Sequence, residues 1–130
     1  MKLTPGQHEF RYDLGTRGEA AAWAYLEQQG LQILEKNFRC PIGEIDLIVQ
    51  QGRRIRFVEV KTRTSRRYGT PEEAVTAAKQ KKIIRIAQWY LKAKKMEKMP
   101  ISFDVISVMA ERGHPLKIRY LPDAFELGDD

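Results

Sequence analysis

Two apolar, strand-like runs near the middle of the chain each carry an acidic residue. Asp46 lies in GEIDLI, and Glu59 lies in FVEVKTR with Lys61 two positions after it. The intervening QQGRR is a turn signal, so the two runs predict a β-hairpin. Side chains alternate between the faces of a strand, and therefore Glu59 and Lys61 are expected on the same side.

The length of the turn decides which residues of the hairpin face each other. If Gln51 and Gly52 form a two-residue loop, Asp46 lies diagonal to Glu59. A four-residue loop places Asp46 directly opposite Glu59. Either loop gathers Glu44, Asp46 and Glu59 on one face, whereas a three-residue loop without a bulge separates them.

Carboxylates gathered on one face repel each other unless a positive charge compensates. Mg²⁺ prefers oxygen ligands and uses one or two carboxylates, with waters and substrate phosphate oxygens completing its shell. Such an ion polarises a phosphodiester and acidifies a bound water, and Lys61 would orient or deprotonate that water or neutralise the transition state. The alternative is a hairpin whose polar face is simply solvated. Ile55 and Phe57 count against it because they share the face of Glu59.

The segments on either side of the hairpin predict two helices. TRGEAAAWAYLEQQG is typical of a first helix that begins with a capping box formed by Thr16 and Glu19. A long second helix is expected from Thr70 as the N-cap, with Pro71 at the first helical position and Glu73 closing a second capping box.

Further strands complete the predicted fold. LQILEKNFRC precedes the hairpin, and ISFDVISVM and LKIRYL follow the second helix. The order helix, three strands, helix, two strands predicts an α/β fold with a mixed β-sheet flanked by helices. We expect one domain over 15 to 126, a flexible N-terminal tail at 1 to 14 and a C-terminal tail at 127 to 130.

The composition favours a polyanionic partner and a reducing compartment. The 130 residues carry a net charge of +6, which is typical of DNA or RNA binders but also serves solubility alone. Cys40 is the single cysteine, the N-terminal sequence lacks the apolar run of a signal peptide, and no run approaches the roughly 20 apolar residues of a membrane span. These features predict a soluble cytoplasmic protein with no membrane partner.

The chain has an acid in one strand, Asp46, and Glu-x-Lys in the next, Glu59-Val60-Lys61. This pattern resembles the motif of the PD-(D/E)xK nuclease superfamily. Longer stretches are similar to the bacterial YraN family, a branch of that superfamily, and the likeness covers about residues 15 to 126. The stretches are GEIDLI at 43 to 48, FVEVKTR at 57 to 63, YGTPEEAV at 68 to 75, KQKKI at 79 to 83 and FDVISV at 103 to 108.

The resemblance implies a restriction-endonuclease-like core similar to that of Holliday-junction resolvases, with the activity of an Mg²⁺- or Mn²⁺-dependent deoxyribonuclease. The implied substrate is DNA, including branched or structured DNA in repair or recombination. By the same resemblance Asp46, Glu59 and the backbone carbonyl of Val60 would bind the metal, and Lys61 would be the catalytic lysine.

The resemblance also implies roles for two residues of the helices. Glu19 matches an additional acid that completes the metal shell in junction-resolving relatives, and its alternative role is the capping-box partner of Thr16. Gln80 resembles a polar residue that follows the catalytic strands in several branches, and its alternative is a solvated helix position.

Basic residues crowd the hairpin, the loop after it and the second helix. They would hold phosphates with a strong salt dependence and without reading bases, although a solvated helix face explains part of the lysines. The residues expected to contact nucleic acid are Arg53, Arg54, Arg63, Arg66, Arg67, Lys79 and Lys82.

Two other functions fit the same pattern. One is a nucleic-acid-binding module that keeps the nuclease fold without cutting, and the other is a basic RNA-associated protein without metal dependence. A nuclease that cuts both strands of a junction needs two active sites, so a homodimer is expected if that is the activity.

Overall fold

The computed structural model describes residues 5–64 and 74–126, with side chains from residue 14 onward. Its elements in chain order are α1 (Pro5–Gln28), β1 (Gln32–Cys40), β2 (Gly43–Gln51), β3 (Arg54–Arg63), α2 (Ala77–Ala93), β4 (Ile101–Met109) and β5 (Lys117–Phe125). This order agrees with the one predicted from the sequence. Within the described part of the chain, neither helix has the length and apolar character that crossing a membrane requires.

The strands form a single sheet of five in the order β1-β2-β3-β4-β5. Neighbouring strands are antiparallel except β3 and β4, which are parallel. A parallel pair needs a crossover connection, and α2 lies in the segment that provides it. The predicted fold class is confirmed: the molecule is α/β, with a mixed sheet, two helices and a restriction-endonuclease-like core.

Each helix covers its own apolar cluster on the sheet. Ile86 of α2 belongs to one cluster with Phe57, and Leu26 of α1 belongs to the other with Val58. Because Phe57 and Val58 are neighbours on β3, this strand is buried on both faces. The alternation of side chains then directs Glu59, two positions after Phe57, to the side of the sheet that α2 covers.

Helix α1 begins eleven residues before the predicted N-cap, at Pro5 rather than after Thr16. The prediction of a capping box at Thr16 is therefore wrong, and residues 5–14 of the predicted tail are helical. Proline suits the first turn of a helix, and Gly18 in its interior is explained by packing: a Cβ there would lie 2.0 Å from Thr62 Oγ1. The other predicted tail residues, 1–4 and 127–130, lie outside the described residues.

Helix α2 also begins later than predicted, at Ala77 with Thr76 as its N-cap. The Oγ1 of Thr76 accepts a hydrogen bond from the backbone N–H of Lys79 at 3.2 Å. The predicted start at Thr70 is wrong, although the cap is a threonine in both cases. Thr70 and the predicted capping residues after it lie outside the described residues.

The β2–β3 hairpin has the register that was predicted for a four-residue loop, but the predicted loop length is wrong, since the turn is Gly52 and Arg53. Its recorded pairs run from Gln51↔Arg54 to Leu47↔Val58, so the next step along both strands brings Asp46 opposite Glu59. The turn between Gln51 and Arg54 consists of two residues, and Gly52 takes the positive φ of 59° that tight hairpin turns need.

A buried polar network surrounds Asp104 of β4, which is fully buried. Arg56 Nη1 lies 3.2 Å from each of its carboxylate oxygens, and the backbone N–H of Asp123 donates to Oδ1 at 2.9 Å. The hydroxyls of Ser102 and Tyr120 donate to the same carboxylate. Asp104 is therefore a paired structural carboxylate, since its partners satisfy a charge that would otherwise be costly to bury.

Candidate active site

A bend in β2 positions Asp46. Ile45 and Ile48 both belong to the cluster under α2, although strict alternation would place residues three positions apart on opposite faces. On the neighbouring strand, the ladder pairs Lys36 with Leu47 and Phe38 with Ile45, and Asn37 between them has a φ of 52°. The regular ladder is therefore interrupted next to Asp46.

The Asp46 carboxylate is fixed to β3. Its Oδ2 accepts a hydrogen bond from the backbone N–H of Val60 at 2.7 Å. Burial raises the pKa of Asp46, and the Val60 N–H opposes that rise because it stabilises the ionised form. This bond holds the carboxylate beside the segment that carries Glu59 and Lys61.

Glu59 is the most strongly perturbed acid of the site. It is 5% exposed, and burial together with the neighbouring Asp46 carboxylate raises its pKa to about 7. Lys79 of α2 partly opposes the shift, since its Nζ lies 3.4 Å from Glu59 Oε2. Two carboxylates thus share one low-dielectric site, and the charge of Asp46 makes Glu59 harder to ionise, a cost that a bound cation would reduce.

Two lysines of unequal character face these carboxylates. Burial lowers the pKa of Lys61, and the contact with the Lys79 side chain lowers it further. For Lys79 burial acts in the same direction, but the contacts with Lys61 and Glu59 outweigh it and raise its pKa. Lys79 is therefore the charged partner, whereas Lys61 is the amine that is more easily neutral.

Glu19 joins the site from α1. Burial and the nearby Asp46 carboxylate raise its pKa, while a hydrogen bond with the Asn37 side chain lowers it. Because Glu19 lies in the interior of α1, its alternative role as a capping residue at Thr16 does not apply. Asn37 was not among the residues selected from the sequence, and its tolerance of positive φ is the only signal for it.

A cavity of about 520 Å³ opens over these groups. The first turns of α2 form one wall and the hairpin forms the other. The lining residues are Glu44, Asp46, Glu59, Val60, Lys61, Ala78, Lys79, Lys82, Ile83 and Ile86. The cavity therefore presents carboxylate oxygens and two or more ammonium groups to the same space, a combination suited to an anionic substrate with a hard cation.

The structure brings Lys79 and not Gln80 to the carboxylates. Gln80 Nε2 donates to the backbone carbonyl of Val75 at 2.9 Å, a contact that stabilises the start of α2. Lys79 and Lys82, predicted as contacts for nucleic acid, both line the cavity. The role of Lys79 in the acid cluster was not recognised from sequence because it depends on how α2 crosses the sheet.

The predicted arginines occupy different places. Arg53 lies in the hairpin turn, and Arg54 Nη1 donates to the carbonyl of Ile101 at 2.8 Å. This turn is five residues from Glu59 along β3, or about 17 Å, so both arginines lie away from the cavity. Arg63 ends β3 near Lys61, and its carbonyl accepts from Ala110 N at 2.8 Å. Arg66 and Arg67 lie outside the described residues.

The carboxylates of the cavity can bind a hard divalent cation if waters and phosphate oxygens supply the other ligands. Within residues 14–64 and 74–126, no three His, Cys, Asp or Glu side chains are grouped closely enough to hold a metal ion. Asp46 and Glu59 nevertheless provide two carboxylates, and Val60 lines the same cavity. Mg²⁺ needs only one or two protein carboxylates when waters and phosphate oxygens complete its octahedron, so these residues fit Mg²⁺ or Mn²⁺.

Fold and site together define an α/β protein with a restriction-endonuclease-like core and a cavity beside its β2–β3 hairpin that is lined by three carboxylates and three lysines. Residues 18–108 match the model of uncharacterised protein family UPF0102, and the chain belongs to this family, also called the YraN family. It is 44% identical over 117 residues to a UPF0102 protein of Syntrophotalea carbinolica, covering 90% of this chain and 94% of the relative. It is 46% identical over 114 residues to one of Geobacter metallireducens, covering 88% and 93%. The family resemblance inferred from the sequence is confirmed.

Proposed function

We propose that this protein is a metal-dependent endonuclease that hydrolyses phosphodiesters of DNA in the cytoplasm. The observation that carries the proposal is the buried pair Asp46 and Glu59, which faces Lys61 and Lys79 in one open cavity. Burying two acids costs stability, and a functional role explains why such a costly pair is present. Perturbed acids and bases gathered in a cavity are characteristic of active sites.

The metal would be held by Asp46, Glu59 and the carbonyl of Val60, while Glu19 of α1 would influence Asp46 from outside this ligand set. When bound, Mg²⁺ or Mn²⁺ supplies a Lewis acid that polarises the phosphodiester and acidifies water. Lys79 holds Glu59 in place through the contact of 3.4 Å. When substrate binds, a phosphate oxygen would replace the Glu59 carboxylate as the partner of the Lys79 ammonium group.

Lys61 is the proton acceptor of the proposed reaction. Its amine is more easily neutral than an exposed lysine because burial and Lys79 lower its pKa. A water oxygen attacks phosphorus, its proton passes to the Lys61 amine, and the bond from phosphorus to the leaving oxygen breaks. The leaving alkoxide takes a proton from solvent, and Lys61 returns its proton to solvent before the next turnover.

We propose branched or structured DNA as the substrate, with roles in repair or recombination. Lys82 and Lys79 line the cavity, and Arg63 ends the strand that carries Lys61. Basic groups of this kind bind the phosphate backbone without selecting a sequence. Cutting both strands of a junction would use two copies of the chain, so a homodimer belongs to the proposal.

The test is cleavage of labelled single-stranded, duplex, flapped and four-way-junction DNA, with RNA counterparts, in Mg²⁺, Mn²⁺ or EDTA. Asp46→Ala is the test variant. Glu111→Ala is the control, since it removes an exposed carboxylate from the segment between β4 and β5. We expect metal-dependent cleavage of DNA by the wild type and the control, and none by Asp46→Ala. Equal cleavage by Asp46→Ala would contradict the proposal.

A non-catalytic nucleic-acid-binding module is the second candidate. The observation that favours it is the ion pair between Lys79 and Glu59, which compensates one carboxylate without a metal. This candidate predicts that all substrates stay intact in every metal while wild type and Asp46→Ala bind them equally well.

A further inference from the structure

One large apolar side chain of α2 is exposed to solvent, that of Trp89, with 42% of the residue accessible. Trp89 lies beside the buried Tyr90 in an apolar stretch of sequence, and burial would be the ordinary expectation. Tryptophan is highly buried on average, and an exposed indole ring offers a flat apolar surface on which a ligand can stack.

Trp89 shares its helix face with three exposed cations. Lys82, Arg85 and Lys92 stand seven and four positions before it and three after it, spacings that place side chains on one side of an α-helix. All three are exposed. This basic stripe, formed by Lys82, Arg85, Trp89 and Lys92, is defined by both charge and an aromatic ring.

The basic stripe begins at the proposed active site. Lys82 lines the cavity, and a Cβ added to Gly43 would lie 2.8 Å from Lys82 Cε, so the lysine stem rests on the turn between β1 and β2. Trp89 is two helical turns further on, or about 10 Å from Lys82 along the axis. The distance corresponds to about three nucleotides at roughly 3.4 Å each, and to fewer in an extended strand.

The Trp89 ring contacts Phe38 and is partly exposed to solvent. Its centroid lies 6.0 Å from that of Phe38 with an interplanar angle of 47°, which fixes the orientation of the indole. The other tryptophan, Trp23, has Lys36 Nζ 3.6 Å from its ring centroid, so its face already carries a cation. Of the two tryptophans, Trp89 is the more exposed.

We propose that the basic stripe binds single-stranded DNA next to the active site, with phosphates on Lys82 and Arg85 and a base stacked on Trp89. The inference rests on the proposed function and names its substrate class. Bases of a duplex are stacked on each other, so only an unpaired base presents a free face to an indole. The preferred substrate is then DNA with an unpaired segment beside the cleaved bond, such as a flap or gap.

The test measures binding in EDTA, where cleavage plays no part, by fluorescence anisotropy of labelled oligo-dT and of a duplex of equal length. Stacking contributes about 1–3 kcal/mol per base, so Trp89→Ala should weaken oligo-dT binding by about 5- to 150-fold, with duplex affinity changed less than about twofold. Trp89→Phe should retain much of the affinity because phenylalanine also stacks. Thermal melts of each variant confirm that the fold is intact.

Two alanine variants distinguish DNA binding by the basic stripe from general attraction to positive charge. Arg85→Ala should lower the slope of log affinity against log salt by about 0.7, the contribution of one phosphate contact on a single strand. Lys98→Ala removes one exposed cation beyond the C-terminus of α2 and should leave the slope unchanged. In a Trp23→Phe background, where Trp89 is the only tryptophan, oligo-dT should quench its fluorescence.

The outcomes distinguish this inference from the proposed function. If the wild type binds oligo-dT and Trp89→Ala binds it equally well, or if both DNA forms lose affinity equally, the inference is overturned while the nuclease proposal stands. If oligo-U binds more tightly than oligo-dT and its binding depends on Trp89, the assignment to DNA is overturned. If no DNA of any form binds the wild type, both proposals are overturned.

Discussion

Replacing Glu59 with glutamine should stabilise the metal-free protein at alkaline pH. Burial and the Asp46 carboxylate raise the pKa of Glu59 from 4.5 to about 7. A group with a raised pKa in the folded state contributes stability that is fully present below about pH 4.5 and is lost as the pH rises through about 7. Glutamine keeps the size and polarity of the protonated acid but cannot ionise, so the variant avoids this loss.

The expected size follows from the shift. Each pKa unit corresponds to 1.36 kcal/mol, so a rise from 4.5 to about 7 corresponds to about 3 kcal/mol of unfolding free energy. Glu59 is 5% exposed, and solvent screening therefore reduces the figure little. Glu19 also has a raised pKa, but it is present in both proteins and largely cancels in the difference, whereas Asp46 titrates together with Glu59, so the difference reports the pair.

Urea denaturation in EDTA at about pH 4 and about pH 8.5 measures the effect. The stability of Glu59→Gln relative to wild type should increase by about 3 kcal/mol between the two pH values, and that of the control Glu111→Gln should not change. A difference that is independent of pH would refute the assigned pKa. A variant less stable than wild type at the higher pH would show that the ion pair with Lys79 outweighs the cost of burial.

Four further substitutions test separate parts of the structure. Lys61→Ala should lower the cleavage rate by about 10²- to 10⁴-fold in single-turnover assays while DNA affinity changes little, because general-base catalysis contributes that much; a proportional loss of binding would contradict the role. Gly18→Ala should destabilise the fold by about 1–3 kcal/mol in urea, because its Cβ would lie 2.0 Å from Thr62 Oγ1, whereas Gly15→Ala, with no atom within 4 Å, should stabilise it by about 0.5–1 kcal/mol. Asp104→Ala should cost about 3–5 kcal/mol, since it leaves a buried cation without its partner, and a smaller loss would show that water compensates.

The hairpin was predictable because its signals are local. Alternating apolar residues identify the strands, and the period of two places Glu59 and Lys61 on one face whatever the loop. The register required the structure, because neither predicted loop is the observed one. The turn consists of Gly52 and Arg53, with Gly52 at a positive φ, and it gives the register that was expected from a four-residue loop.

The helix ends were predicted less well because several residues are equally good caps. Thr16 and Thr76 have the same capping chemistry, but only Thr76 precedes a helix, and Thr16 lies inside one. The contact of Gly18 with Thr62 joins residues far apart in sequence. Such packing overrides local propensity and leaves no periodic signal.

The proximity of Asp46, Glu59 and Lys61 was predicted from the sequence, but that of Lys79 was not. Asp46 and Glu59 follow from strand alternation, whereas Lys79 reaches Glu59 only because α2 crosses the sheet above it. The exposure of Trp89 was likewise hidden, because its neighbour Tyr90 is buried and the local sequence is apolar. Both depend on the rotation of α2 about its axis, which tertiary packing determines.

The most direct test of the central claim is a Mg²⁺ titration of single-turnover DNA cleavage by wild type, Asp46→Ala and the control Glu111→Ala. A metal site built on Asp46 predicts a rate that saturates with Mg²⁺ in the wild type and the control, returns to zero in EDTA and is absent in Asp46→Ala. Cleavage that persists in EDTA, or an Asp46→Ala rate equal to that of the wild type, would contradict a metal-dependent nuclease at this site.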